Sequence, residues 1–224
     1  MSKEIINTIL LAGLFLFLFG IAELLYHLFK IKTDITRKIV HIGTGFLTML
    51  FPLMLRSHWF VLLLCASFAL ILLLSLQFNL LPSINAIDRI SYGTLLYPVA
   101  VYGCYLAYNY FHNKVLFFYL PVLTMAICDP LAAFFGKRWP YGRFDINHDT
   151  KTVMGSAAFF FSSIALTIML FYFFSSGNFY LDRVLTIAIL VAAAATATEA
   201  LSTKGLDNIT IPASVVLILT LVHD

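Results

Sequence analysis

The longest polar stretch in this chain is residues 137–152, and apolar runs of membrane-spanning length fill most of the rest. A helix needs about 20 predominantly apolar residues to cross the hydrocarbon of a bilayer. Runs of that kind fall at roughly 6–29, 39–55, 59–80, 93–111, 115–136, 153–174, 181–201 and 208–222, the last being short. The expectation is an all-α, polytopic membrane helix bundle of about eight helices, forming one membrane-embedded domain over 1–224. Charge content agrees. Charged residues make up 11% of the chain, against roughly 25% in a soluble domain, too few to cover a water-facing surface. No small-residue cleavage site follows the first apolar run, so it reads as a span rather than a removed signal peptide. Cys65, Cys104 and Cys128 sit inside apolar runs without metal-ligand spacing and read as reduced, buried thiols. The net charge of +3 is small and gives no sign of a nucleic-acid partner.

Basic residues set the orientation, because Lys and Arg concentrate in cytosolic connections. The odd-numbered connections hold ten: Lys30, Lys32, Arg37, Lys38, Arg89, Lys137, Arg138, Arg143, Lys151 and Lys204. The opposite side holds four: Lys3, Arg56, Lys114 and Arg183. The odd connections are therefore expected in the cytosol and both termini outside, in the cell inner membrane if the source is bacterial.

Ionisable groups inside spans cost about 2.5–3.5 kcal/mol each on insertion scales, so each one needs a reason. Asp129 lies in an apolar run and is followed by Pro130, which frees a backbone carbonyl and suggests a broken helix. Glu199 ends a run of small residues, Ala192 to Thr198, that permits close helix packing. Neither carboxylate has a basic residue one helical turn away. Glu23 and His27 are spaced i,i+4 near the inner end of the first span and read as an interfacial pair. His41 lies just inside the second span, where it serves either a packing contact or a site.

Two connections gather the remaining polar groups. The fifth reads Gly136-Lys137-Arg138-Trp139-Pro140-Tyr141-Gly142-Arg143, and Lys151-Thr152-Val153-Met154-Gly155-Ser156 opens the next span. Glycines admit backbone amides to an anion, Lys and Arg neutralise it, and a helix start adds its dipole. Such a loop is either a polyphosphate cradle or an ordinary cytosolic basic loop. It is not a Walker A sequence. The seventh connection places Glu199, Ser202, Lys204, Gly205, Asp207 and Asn208 close together, ahead of Pro212. Hard oxygen donors of this kind suit Mg²⁺, which binds through one or two carboxylates plus substrate phosphates; a Gly/Asn turn is the plainer alternative.

At these residues the sequence resembles the CTP-dependent lipid kinases: dolichol kinase, phytol kinase and the fungal-type diacylglycerol kinase. Arg37-Lys38-Ile39-Val40-His41 is similar to the family's R-K-x-x-H, and Gly93-Thr94-Leu95-Leu96-Tyr97-Pro98 to its G-(T/E)-x-x-Y-P segment. Asp129, Ala132 and Gly136, then Lys151-Thr152 and Gly155-Ser156, resemble the CTP-binding pattern. Glu199, Ser202, Gly205, Asp207, Asn208 and Pro212 resemble its closing block. The chain departs from the pattern at Pro140, where a second glycine is usual and arrives only at Gly142. Met154 stands where dolichol kinases often carry Glu and phytol-kinase-like members an apolar residue, which tilts the substrate toward a shorter isoprenoid alcohol.

The resemblance implies transfer of the γ-phosphoryl of CTP to a lipid hydroxyl, with Mg²⁺. The acceptor would be phytol, geranylgeraniol, a polyprenol or diacylglycerol. Gly136, Lys137, Arg138, Gly142, Arg143, Lys151, Thr152, Gly155 and Ser156 are then expected at the nucleotide. Asp129, Asp207, Asn208 and Glu199 are expected at the metal, with Asp129, Glu199 and Lys151 as catalytic candidates; Glu199 serves equally as metal ligand or general base. A CDP-diacylglycerol synthase shares the D…G…K-T pattern, but its closing H-G-G and D-R-x-D elements are absent. A small transporter also carries midplane carboxylates, but no inverted repeat is evident.

Overall fold

A computed structural model describes residues 3–78, 80–85, 92–146, 149–174 and 180–222; Arg89, counted above among the basic residues, lies outside them. The chain is nearly all helix. In order run α1 (Lys3–His27), α2 (Thr33–Thr48), α3 (Phe51–Met54), α4 (His58–Phe78), α5 (Pro82–Asn85), α6 (Gly93–Tyr110) and α7 (Leu116–Leu123). A π-helical turn (Thr124–Cys128) then leads into α8 (Asp129–Arg138). A two-stranded hairpin, β1 (Arg143–Ile146) and β2 (Asp149–Thr152), precedes α9 (Val153–Phe174), α10 (Leu181–Leu201) and α11 (Asp207–Leu221).

Among the described residues five helices are long and apolar enough to cross a membrane: α1, α4, the run Leu116–Arg138, α9 and α10. The expected eight crossings are thus met in full by five. The other three fall on shorter or more polar elements. Helix α2 has 16 residues and starts among Lys, Asp and Arg. Helix α11 has 15 residues, about 22 Å at 1.5 Å per residue, less than the roughly 30 Å of hydrocarbon. Helix α6 has 18 residues and is rich in Tyr.

The spanning helices are apolar all round, as lipid on one side and protein on the other require. Helix α1 buries Thr8, Leu11, Phe15, Phe19 and Ala22, one stripe at helical spacing, and leaves Ile9, Leu10 and Phe17 exposed. Leu116–Arg138 is the central element: 72% of its apolar window is buried, against 28–39% for the other four spans. It packs against α2, α6, α9 and α11. Pro130 does not break it. The chain widens by one π-helical turn ahead of Asp129, and Pro130 takes the first turn of α8, where a missing N–H costs least.

Candidate active site

One end of the bundle opens into a cavity of about 480 Å³ lined from three separate connections. The first contributes Asp34, Arg37, Lys38 and His41. The fifth, with the ends of α8 and α9, contributes Asp129, Gly136, Lys137, Arg143, Lys151, Thr152, Gly155 and Ser156. The seventh contributes Glu199, Ser202, Gly205, Asp207 and Asn208. Three of the four sequence blocks therefore line one space, though they lie up to 171 residues apart (Arg37 to Asn208). The fourth block supports it from outside, because Asn208 Nδ2 donates to the Gly93 carbonyl at 2.7 Å and Tyr92 N donates to Lys204 O at 2.9 Å.

The α8–hairpin–α9 unit owes its geometry to small residues. A Cβ on Gly155 would stand 2.9 Å from the Ala132 carbonyl, and one on Gly136 would stand 2.7 Å from Thr152 Oγ1. These glycines hold α8 against the start of α9. Gly142, with φ +64°, turns the chain into β1. Thr152 caps α9: its Oγ1 accepts the Gly155 N–H at 3.0 Å. The Val153 and Met154 amides donate to the Gly142 and Tyr141 carbonyls. The first amides of α9 are thus already engaged, so an anion at this end meets side chains: the Ser156 hydroxyl, Lys151 and the neighbouring guanidinium and ammonium groups.

Glu199, buried at 4% exposure, finds its basic partner in β2. Lys151 Nζ donates to Glu199 Oε1 at 2.5 Å and to the Glu199 carbonyl at 3.0 Å. Burial works against the Lys151 charge, but the carboxylates of Glu199, Asp207 and Asp129 outweigh it and hold the pKa above the ordinary lysine value. Lys137 pairs with Asp34 at 2.5 Å across the mouth, tying the fifth connection to the first. Both are largely exposed, so the pair contributes little stability. Asp149 accepts the Lys204 N–H at 3.0 Å and ties the hairpin to the seventh connection.

Asp129 and Asp207 differ from Glu199. Among the described residues neither makes an ion pair, and the Asp207 carboxylate accepts only the Asn208 N–H, at 3.0 Å. No group of three or more His, Cys, Asp or Glu among the described residues could hold a metal by itself. That fits Mg²⁺ carried on phosphates, which needs one or two protein carboxylates, and not a protein-only cage. Asn208 spends its amide nitrogen on Gly93, leaving Oδ1 as the atom to offer a cation.

Several expected residues stand outside the cavity. Arg138 lies over the Trp139 ring at 5.3 Å. Pro98 and Pro212 are buried within α6 and α11, and Gly93 lets Asn208 approach, since a Cβ there would stand 2.9 Å from Nδ2. Glu23 bonds His27 at 3.2 Å, as its spacing suggested, and also accepts the Ser83 N–H at 3.1 Å, which fixes α5 to α1. The structure adds Asp34, Pro140, Asp149, Thr150 and Lys204 to the lining. Asp34 and Lys204 sat in connections already marked by charge; Asp149 and Thr150 became visible only through the hairpin pairing.

The chain is 32% identical over 191 residues to the phytol kinase of Synechocystis sp., a match that covers 85% of this chain and 80% of that protein. This chain belongs to the phytol kinase family. The resemblance carried by the sequence blocks is borne out, and with it the coarse activity: a lipid-alcohol kinase built on membrane helices. No family model and no solved structure matches it.

Proposed function

We propose that this protein transfers the γ-phosphoryl group of CTP to the hydroxyl of an isoprenoid alcohol, of the size of phytol or geranylgeraniol or a longer polyprenol, at the cytosolic face of the membrane. The observation that carries this reading is the convergence of Arg37, Lys38, Lys137, Arg143 and Lys151 with Asp129 and Asp207 in one cavity. A cavity of this size lies in the range of small-molecule sites. Phosphoryl transfer asks the protein for positioning and for charge neutralisation around the moving group. The five cations supply the second.

Lys137 and Arg143 stand at the mouth, where the triphosphate enters, and Lys38 and Arg37 face them from α2. Lys151 is held rigid by Glu199, so its ammonium presents a fixed charge. Mg²⁺, when bound with the nucleotide, would add neutralisation of the phosphate oxygens, with Asp129 and Asp207 as its protein ligands. A carboxylate oxygen of Asp129 or Asp207 that does not bind the cation would accept the proton of the attacking hydroxyl. Exposed apolar side chains on the flanks, Phe134 and Phe161 among them, face lipid and suit sideways entry of an isoprenoid tail.

The test is transfer of labelled γ-phosphate from CTP to a panel of phytol, geranylgeraniol, polyprenols and diacylglycerol, with and without Mg²⁺. Label in an isoprenoid phosphate that depends on Mg²⁺ supports the proposal. Equal or better transfer from ATP removes the cytidine assignment, and label in diacylglycerol alone removes the isoprenoid one.

A further inference from the structure

The π-helical turn ahead of Asp129 sets a backbone acceptor opposite a residue that has no N–H to give. In the π register the carbonyl of residue i takes the N–H of residue i+5. For Met125 that residue is Pro130, which has no N–H. Met125 is fully buried, and a buried carbonyl without a donor is costly.

The donor comes from another helix. His41 Nε2 lies 3.1 Å from the Met125 carbonyl. A carbonyl only accepts, so Nε2 carries the proton and the tautomer is fixed. The surroundings hold the ring in place: its plane meets the Tyr97 ring edge-on at 4.8 Å, and the Tyr97 hydroxyl donates to the His41 carbonyl at 3.2 Å. One turn further along α2, Gly45 lets the helix close on the π-turn, since a Cβ there would overlap the Cβ of Ala126. His41 itself lines the cavity.

We propose that His41 is a positioning residue: its Nε2–H stands in for the amide that Pro130 lacks, and so fixes the π-turn and the direction of the Asp129 carboxylate beyond it. This rests on the reading of Asp129 as a group that meets the nucleotide or its metal. It also gives Tyr97, from a block outside the cavity, a task in the site, that of buttressing the ring.

The experiment compares His41→Phe, His41→Gln, Pro130→Ala, the double variant His41→Phe/Pro130→Ala and Asp129→Asn. All are purified in detergent and assayed with labelled CTP and an isoprenoid alcohol. Phe keeps an aromatic of similar size but donates nothing; Gln keeps a donor; Ala at position 130 restores an N–H for Met125. His41→Phe is expected to lower kcat at least about 10-fold with little change in the KM for nucleotide, since it misdirects a group that acts in the transition state. His41→Gln is expected to keep most of the activity, and the double variant to recover most of what His41→Phe loses.

A double variant no better than His41→Phe, with wild-type monodispersity, overturns the proposal. So does a well-folded His41→Gln that is as impaired as His41→Phe, which decides the matter even if the Phe variant fails to fold. A loss confined to KM also overturns it, by showing that His41 touches nucleotide. Wild-type turnover in His41→Phe beside an inactive Asp129→Asn overturns this proposal alone. Near wild-type turnover in Asp129→Asn removes the reading of Asp129 and this proposal with it.

Discussion

A carboxylate inside an apolar helix is costly without a cation, and Asp129 has none of its own among the described residues. Replacing it by Asn keeps the volume and removes the charge. Asp129→Asn is expected to lower kcat and kcat/KM together by at least about 10²-fold, roughly 2.7 kcal/mol of barrier, while extracted yield and monodispersity stay normal. Steady-state kinetics on the purified variant decide it; turnover near wild type moves the site to Asp207. Glu199 asks a different question, since it is tied to Lys151. Removing one partner of a buried pair strands the other charge at a cost of about 3–5 kcal/mol, whereas removing both is often nearly neutral. Glu199→Gln and Lys151→Met should each lower Tm, and the double variant should regain much of the stability with none of the activity. Because the Lys151 pKa is raised, the pair contributes fully below the ordinary lysine value of 10.5 and is lost only as pH rises through the higher folded value. The Tm gap between wild type and Lys151→Met should therefore stay flat from about pH 6 to about pH 9. Asp129 and Glu199 were legible in the sequence as charges in apolar surroundings. Their difference was not, because Lys151 lies 48 residues from Glu199 and only the fold joins them.

At the scale of elements, the glycines of the fifth connection act mainly on packing. Gly136 and Gly155 bring α8 and α9 together at Ala132 and Thr152, and the opposing atoms include backbone, which does not yield as a side-chain tip would. Gly155→Ala should therefore lower both Tm and kcat. Gly13→Ala, in the lipid-facing part of α1 with nothing within 4 Å of an added Cβ, should leave both unchanged or raise Tm slightly. Thermal unfolding of the two variants side by side checks this; equal losses would mean that Gly155 is not a packing position. The long spans α1, α4, α9 and α10 could be read from apolar length alone. The π-turn could not. Pro130 announced a disturbance, but whether a helix breaks or widens depends on what satisfies the freed carbonyl, and here the donor is His41 from α2. The short α2 and α11 blurred the crossing count because each opens on polar residues and is only 16 or 15 residues long, so apolar length alone does not mark its ends.

For the molecule as a whole, alternation of the helices puts the chemistry at one end. His27, Thr33, Gly93, Arg138, Val153, Leu201 and Asp207 are helix ends or starts on the cavity side, joined by the Asn208–Gly93 and Lys137–Asp34 contacts. The other ends of these helices gather elsewhere: the Glu4 carboxylate accepts the Arg56 and Ser57 amides, and Arg183 donates to the Val222 carbonyl. Basic residues concentrate on the cavity end, and the proposal that this end is cytosolic rests on the positive-inside rule. Two exposed positions report on this, Tyr141 beside the hairpin and Arg56 between α3 and α4. The native cysteines Cys65, Cys104 and Cys128 are buried and give little background. In sealed vesicles of known sidedness, Tyr141→Cys should react with a membrane-impermeant maleimide only from the cytosolic side, and Arg56→Cys only from the other. Reaction of both from one side breaks the alternation and with it the count of crossings between them. Reaction from opposite sides in the reverse sense keeps the helices but puts the cavity outside. That outcome would separate the basic cluster from its topological role and leave phosphate neutralisation as the sole reason for so many cations at one end.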